Sequence, residues 1–171
     1  SRPADTVVKA VTTVKNVSLL TVSGRGMIGV PGIAGRTFLA AARAGCNILM
    51  ISQSSSEQSF CFVVVADCAH RVKDEIESEL GTEMAHQDVD AVDVFDQVAI
   101  VTVVGAGMRG TPGIAGRVFS LMGENRINVI AIAQGSSECS ISFVIDQSDL
   151  KHAVVTLHDL ALETAPLASG D

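Results

Sequence analysis

The 171-residue chain is 47% hydrophobic and 18% charged, with neither Trp nor Tyr, a composition that supports a buried core rather than a disordered tail. Its formal charge of -7 and the lack of any Lys/Arg-rich run argue against nucleic acid as a partner, because phosphate binding draws on basic side chains and base stacking on aromatic ones. No uninterrupted apolar run reaches the roughly 18 residues of a membrane span and no signal-peptide pattern opens the chain, so no membrane partner and a cytoplasmic location are expected.

Apolar alternation marks strands and three-to-four spacing marks helices. By that reading the chain opens with strands over 7–14 and 17–23, separated by a tight turn. A glycine-rich loop, Gly24-Arg-Gly-Met-Ile-Gly29, leads to a helix that opens at Pro31-Gly32, where proline is tolerated because its missing N–H would be unpaired anyway. Ile33, Ala34, Thr37, Phe38 and Ala41 form the buried face of that helix, and Gly45 and Asn47 end it. Strands over 47–53 and 58–65 flank the polar turn Gln53-Ser-Ser-Ser-Glu57, and a helix near 69–80 carries Val72, Ile76 and Leu80 on one stripe.

The chain then repeats itself. Val17 to Arg36 aligns without a gap with Val98 to Arg117, an offset of 81. The same offset carries Asn47 onto Asn128, Gln53 onto Gln134 and Ser55-Ser56-Glu57 onto Ser136-Ser137-Glu138, with about half of positions 17–63 identical. Extended backward, it sets 7–16 against 88–97 and divides the chain into repeats over 7–87 and 88–165. The second copy is expected to hold strands over 89–94, 98–104, 128–134 and 139–145. Its first helix opens at Pro112-Gly113, buries Ile114, Ala115, Val118, Phe119 and Met122, and stops at Asn125 to Asn128; its second, over 148–162, buries Leu150, Ala153, Val154, Leu157 and Leu160.

One apolar face per helix, set against alternating strands, predicts α+β architecture: two ferredoxin-like βαββαβ units, each an antiparallel sheet with helices on one face. No convincing strand follows the last helix, where Ala161 to Asp171 turns polar and Pro-interrupted. The segment 7–14 can supply the missing strand, either beside 17–23 or by crossing to complete the second copy, and both placements stay open.

The loops Gly24–Gly29 and Gly105–Gly110 match Gly-x-Gly-x-x-Gly between a strand and a helix, the pattern of a dinucleotide site. The acidic residue expected about 20 positions on is replaced by Leu49-Met50-Ile51-Ser52-Gln53, and βαββ order removes the crevice that a dinucleotide uses. Unpaired N–H groups at such a helix N-terminus still suit a carboxylate. Cys46, Cys61, Cys68 and Cys139 lack CxxC spacing and read as small buried hydrophobes. His70, His86, His152 and His158 lack metal-ligand spacing. No catalytic residue, metal or cofactor is expected.

Taken together, Gly-x-Gly-Met-x-Gly-x-Pro-Gly-Ile-Ala, then Asn-Ile or Asn-Val, then Gln-x-Ser-Ser-Glu-x-Ser resembles the tandem ACT domains at the regulatory end of aspartate kinase. The similarity covers residues 7 to about 162 and is strongest to threonine-sensitive members, including the regulatory region of bifunctional aspartate kinase–homoserine dehydrogenase. It implies two ACT domains, feedback inhibition by an end-product amino acid of the aspartate pathway, a kinase domain upstream in the parent chain, and a homodimer formed through ACT domains.

The resemblance also implies binding positions at Val30, Gly32, Ile33, Ala34, Asn47, Ile48, Gln53, Ser56 and Glu57, and at Thr111, Gly113, Ile114, Ala115, Asn128, Val129, Gln134, Ser137 and Glu138. Helix N–H groups suit an amino acid's carboxylate, Asn and strand carbonyls its ammonium, and a Gln amide a side-chain hydroxyl. Threonine therefore fits better than lysine, whose buried cation would need Glu57 or Glu138. Ser54 facing Gly135, Ile28 facing Arg109 and Val30 facing Thr111 predict two unequal sites. Two alternatives remain at this stage: an ACT-type dimerisation module without ligand, and a small dinucleotide-binding enzyme.

Overall fold

The computed structural model of the chain describes residues 7–27, 32–53, 58–106, 112–134 and 140–164. In chain order these form β1 (Val7–Ser23), α1 (Ile33–Arg43), β2 (Ile48–Gln53), β3 (Ser59–Val65), α2 (Ala69–Glu79), α3 (Gly81–Ala85), β4 (Ala91–Ala106), α4 (Pro112–Glu124), β5 (Ala131–Gln134), β6 (Ser140–Asp146) and α5 (Leu150–Thr164). One turn of 3-10 helix leads into α2 and another into α5. No helix among the described residues is long and apolar enough to cross a membrane.

The expected turn between 7–14 and 17–23 is a bend inside one 17-residue strand. Asn16 takes φ 60, and Gln97, its repeat partner, takes φ 59 within β4. One left-handed residue kinks a strand without reversing it, and Asn adopts that conformation readily. Local polarity alone reads like a turn.

The chain forms two compact units, one from Asn16 to Val98, the other joining the chain up to Lys15 with the chain from Ala99 onward. In the first unit the strand order is β2-β3-β1-β4, with β3 antiparallel to residues 17–23 of β1 and to β2. This unit is an unbroken βαββαβ. Leu20, Val22, Phe62, Val64 and Val92 from the strands meet Ile33, Ala40, Ala41, Val72 and Ile76 from the helices, and Leu80 between α2 and α3, in its core. Phe38 of α1 packs edge-on against Phe60 and Phe62 at centroid distances of 5.9 and 5.6 Å, an arrangement that favours aromatic pairs.

The second unit runs β5-β6-β4-β1, with β5 antiparallel to β6. Its own residues from Ala99 onward supply βαββα, and residues 7–15 provide the last strand. Val8 and Val11 accordingly pack with Val101, Val103, Ile114, Val118, Phe143, Ile145, Ala153 and Leu157. Thr102 and Ser142 hydroxyls share a 2.8 Å hydrogen bond between β4 and β6. The strand expected over 128–134 is shorter: β5 begins at Ala131, and ahead of it the Ile130 N–H donates to Val144 O at 2.8 Å.

Three helices end in the same hydrogen-bonded wrap. After α1, Gly45 N–H donates to Ala42 O and Cys46 N–H to Ala41 O; after α4, Arg126 donates to Gly123 and Ile127 to Met122; after α3, Gln87 donates to Met84 and Asp88 to Glu83. The residue at the wrap is left-handed each time, with φ 77 at Gly45, 58 at Arg126 and 63 at Gln87. These are Schellman ends, in which the left-handed residue lets the last carbonyls find donors.

Candidate functional site

The described part of the first glycine loop, Gly24 to Met27, is already engaged by the protein itself. Gly24 N–H donates to Gln58 O at 2.9 Å, Gly26 N–H to Asp88 O at 3.1 Å and Met27 N–H to Gly24 O at 3.3 Å, while Arg25 N–H donates to an Asp90 carboxylate oxygen at 3.3 Å. A Cβ on Gly24 would lie 2.6 Å from Val89 Cα, and one on Gly26 would lie 2.6 Å from Asp88 Cα. Both glycines are thus required by the close approach of the segment that leads into β4. Their amides are not free for a pyrophosphate, which disfavours the dinucleotide reading at this loop. In the second copy Gly105 is buried, while Gly107 and Gly110 lie outside the described residues.

After the loop comes the N-terminus of α1. Its N-cap is Gly32 at φ 81, with no side chain among the described residues capping the helix and no acidic residue in its first turn. The Gly32 carbonyl accepts from Arg36 N–H at 2.9 Å. The amides of the first turn have no partner within the helix and carry the positive end of its dipole. Ile33 is buried, while Gly32 and Ala34 are exposed.

The sheet register decides which expected residues lie near that terminus. Val22 pairs with Phe60 and Phe60 with Gln53, so the Gln53 backbone sits at the end of the sheet from which the chain leaves β1 for α1, two strands or about 10 Å across. Ile48 pairs with Val64, a neighbour in register of Ser18. Asn47, exposed just before β2, therefore lies at the opposite end, about 20 Å from Gln53 at roughly 3.3 Å per residue. The structure brings Gly32, Ile33 and Ala34 to the Gln53 end and leaves Asn47 and Ile48 at the other.

The second copy repeats this order. Ile114 is buried and Ala115 half-buried in α4, Asn128 is exposed and Val129 half-buried before β5, and Gln134 pairs with Ile141 at the far end of β5. Gly113 lies in the first turn of α4. Val30, Ser56, Glu57, Thr111, Ser137 and Glu138 lie outside the described residues, as do the departures at 28, 54, 109 and 135. A surface hollow lined by Arg25, Met84, Gln87, Val89 and Asp90 contains none of the expected binding residues.

The α1 terminus is held by charge. Arg36 donates from Nε to Glu79 Oε1 at 2.9 Å, from Nη2 to Glu79 O at 2.8 Å, and from Nη1 to a carboxylate oxygen of Glu83. Arg43 pairs with Glu79 at 3.1 Å. The Arg36 guanidinium holds the Glu79 and Glu83 carboxyls below the usual carboxylate range, and they in turn raise the guanidinium. Because the Glu83 carbonyl also accepts from Asp88 and Val89 N–H, Arg36, Glu83 and Asp88 connect α1 to the backbone that fixes the glycine loop. Sequence reasoning missed this link; Arg36 stands at a repeated position, but its partners on α2 and α3 do not follow from the repeat.

The cysteines differ from expectation in one respect. Cys46, Cys61 and Cys68 are all buried, but Cys46 and Cys68 bring their sulfurs within bonding distance, their Cα atoms 6.3 Å apart. Only Cys61 among the described cysteines keeps the plain role of a small hydrophobe, and burial pushes its thiol up. Of the histidines, His70 lies 3.8 Å from Asp96 and His152 hydrogen-bonds Asn125 at 3.1 Å.

Comparison with known proteins gives one family match: a model described as the ACT domain fits residues 20–80 and 101–160. A bifunctional aspartokinase/homoserine dehydrogenase of Haemophilus influenzae is 40% identical over 151 residues, covering 88% of this chain and 18% of that protein. This chain thus spans less than a fifth of the length of such relatives. Among solved structures, a chain of aspartokinase alpha and beta subunits is 28% identical with a TM-score of 0.74, covering 91% of this chain and 99% of that one. The ligand-free regulatory subunit of aspartate kinase from Thermus thermophilus is 25% identical with a TM-score of 0.72, covering 90% of this chain and 97% of its own.

Proposed function

Because this chain belongs to the ACT-domain family and carries two such domains in tandem, we propose that it is the allosteric regulatory region of an aspartate kinase, binding an end-product amino acid, threonine in preference to lysine, for feedback inhibition. The observation that carries this reading is coextension: the chain matches 97% of the length of a regulatory subunit of aspartate kinase and shares its fold. The parent protein, on this reading, carries the kinase domain upstream and works in the cytoplasm.

The pocket we propose uses the α1 N-terminus with Gln53, and the α4 N-terminus with Gln134. First-turn amides receive the carboxylate, and the Gln amide meets the side-chain hydroxyl. Val30, Ser56, Glu57, Thr111, Ser137 and Glu138 are proposed to border the two pockets. Asn47 is too far along β2 to touch the same threonine as Gln53 of its own unit, so we assign Asn47 and Asn128 to pockets completed by a second copy of the chain. Leu49 and Ile51 on β2 are 42% and 49% exposed, and Ile130 and Ile132 at β5 are 40% and 43% exposed; such apolar pairs on edge strands suit a homodimer.

Calorimetric titration tests the reading. Threonine is expected to bind the purified chain, and Gln53→Ala or Gln134→Ala to weaken it by about 1–3 kcal/mol, the effect of leaving a buried polar group unpaired. Silence with threonine, lysine and methionine at millimolar concentration would reject the sensor. Sedimentation should show a dimer, and a monomer at every concentration would reject the shared pocket. Feedback then requires that threonine bind the inactive state of the kinase more tightly than the active one.

A further inference from the structure

We propose that Cys46 and Cys68 form a reversible dithiol–disulfide pair that sets the local stability of the junction between α1 and β2, where Asn47 stands. The Cα atoms are 6.3 Å apart, inside the range that a disulfide spans without backbone movement. The pair ties the wrapped end of α1, where Cys46 N–H donates to Ala41 O, to the start of α2, for which Cys68 is the N-cap. Arg71 is fixed by a 2.9 Å hydrogen bond from Nε to Ala44 O, which places its Nη2 3.8 Å from Cys46 Sγ. A cation so placed favours a sulfur that attacks, or leaves, as a thiolate. Packing alone does not call for these cysteines: at the matching positions, 81 residues on, the second copy has Ile127 and Asp149, with Ile127 buried, and His152 in place of Arg71.

Hydrogen peroxide is a sufficient oxidant. The Cys46 thiolate attacks one peroxide oxygen, the O–O bond breaks and hydroxide leaves, giving the sulfenic acid. The Cys68 sulfur then attacks Cys46 Sγ, the S–O bond breaks, and hydroxide takes up the Cys68 proton to leave as water. Two thiols are oxidised and one peroxide becomes two waters; a small dithiol reverses the change.

The 171-residue chain is treated with peroxide, alkylated under denaturing conditions, and cut after Arg43, Glu57 and Arg71. A disulfide-linked pair of peptides, 44–57 with 58–71, is expected, lost on addition of dithiothreitol and absent in Cys68→Ser. Arg71→Gln, in which the second peptide runs on to Lys73, should form the link several times more slowly. Hydrogen exchange at the Gly45 and Cys46 amides should be about tenfold slower in the oxidised chain. Failure to find the linked peptides, or equal exchange in both states, overturns the proposal. The consequence for an effector rests on the function proposed above: threonine affinity should differ between the two states. Silence with threonine in both states would count against that function and leave the cysteine pair to be judged by peptides and exchange.

Discussion

Gly24 and Gly26 look in the sequence like parts of a phosphate cradle, and in the structure they are spacers against the backbone at 88–89. A Cβ at either position meets main chain, joined at Gly26 by the Asp88 carboxylate, so Gly26→Ala should destabilise by about 1–3 kcal/mol or more, read as a lower urea midpoint. A contrasting pair lies at the helix ends. Gly45 at φ 77 has open space where a Cβ would go, while its repeat partner Arg126 holds φ 58 with a side chain. Gly45→Ala should therefore lose about 1 kcal/mol through backbone strain alone, and Arg126→Gly should gain a similar amount. Equal stability of Arg126→Gly and the parent would mean that the strain is absorbed elsewhere. Glycine can be read from sequence as a need for something unusual, but whether that need is a dihedral or a close approach depends on a neighbour 60 or more residues away.

At the scale of elements, helices and strands were largely readable because their periods are local. The helical stripes on α1, α2, α4 and α5 correspond to buried or half-buried residues, Val72 and Ile76 in α2 and Leu80 just after it being fully enclosed; the exception is Ala34, expected on the buried face of α1 and found exposed in its first turn. What misled was polarity without geometry: Asn16 and Gln97 mark kinks in long strands rather than turns between short ones. The five-residue α3, too short for any stripe, escaped notice. The expected binding residues were named by motif, but only the pairing of Gln53 with Phe60 and of Ile48 with Val64 separates Gln53 from Asn47.

The helices of the first unit also share a charge device with a definite pH dependence. Glu79 and Glu83 have folded-state carboxyl pKa values lowered from 4.5 by Arg36. Their contribution to stability is therefore present above about pH 4.5 and lost as pH falls through the lowered folded values. Arg36→Gln should destabilise the chain at pH 7 and narrow its difference from the parent near pH 3, as seen by urea unfolding at both. Because Arg36 and Glu79 remain partly exposed to solvent, added salt should shrink the effect.

For the whole molecule, the duplication and its incomplete second copy were readable, since a polar, Pro-interrupted tail cannot serve as a core strand. Which sheet the leading segment joins was not, because 7–14 alternates equally well beside either neighbour. Val8 and Val11 in the second core answer it. Deleting residues 1–15 should raise hydrogen exchange in β4 beyond residue 98, β6 and α5 while leaving α1, α2 and β3 protected. A uniform rise over both units would show that they do not open separately.

That closure has a consequence during synthesis. Residues 7–15 leave the ribosome well before the rest of the unit they complete, whose last helix ends at Thr164, and at roughly 5–20 residues per second the wait is about 7–30 s. The unit from Asn16 to Val98 can close in the meantime, tethered to a strand with no finished sheet to join. Lys9, Thr12, Thr13 and Lys15, all exposed in the finished fold, keep that waiting strand polar and charged, the composition that deters pairing with a neighbouring nascent chain.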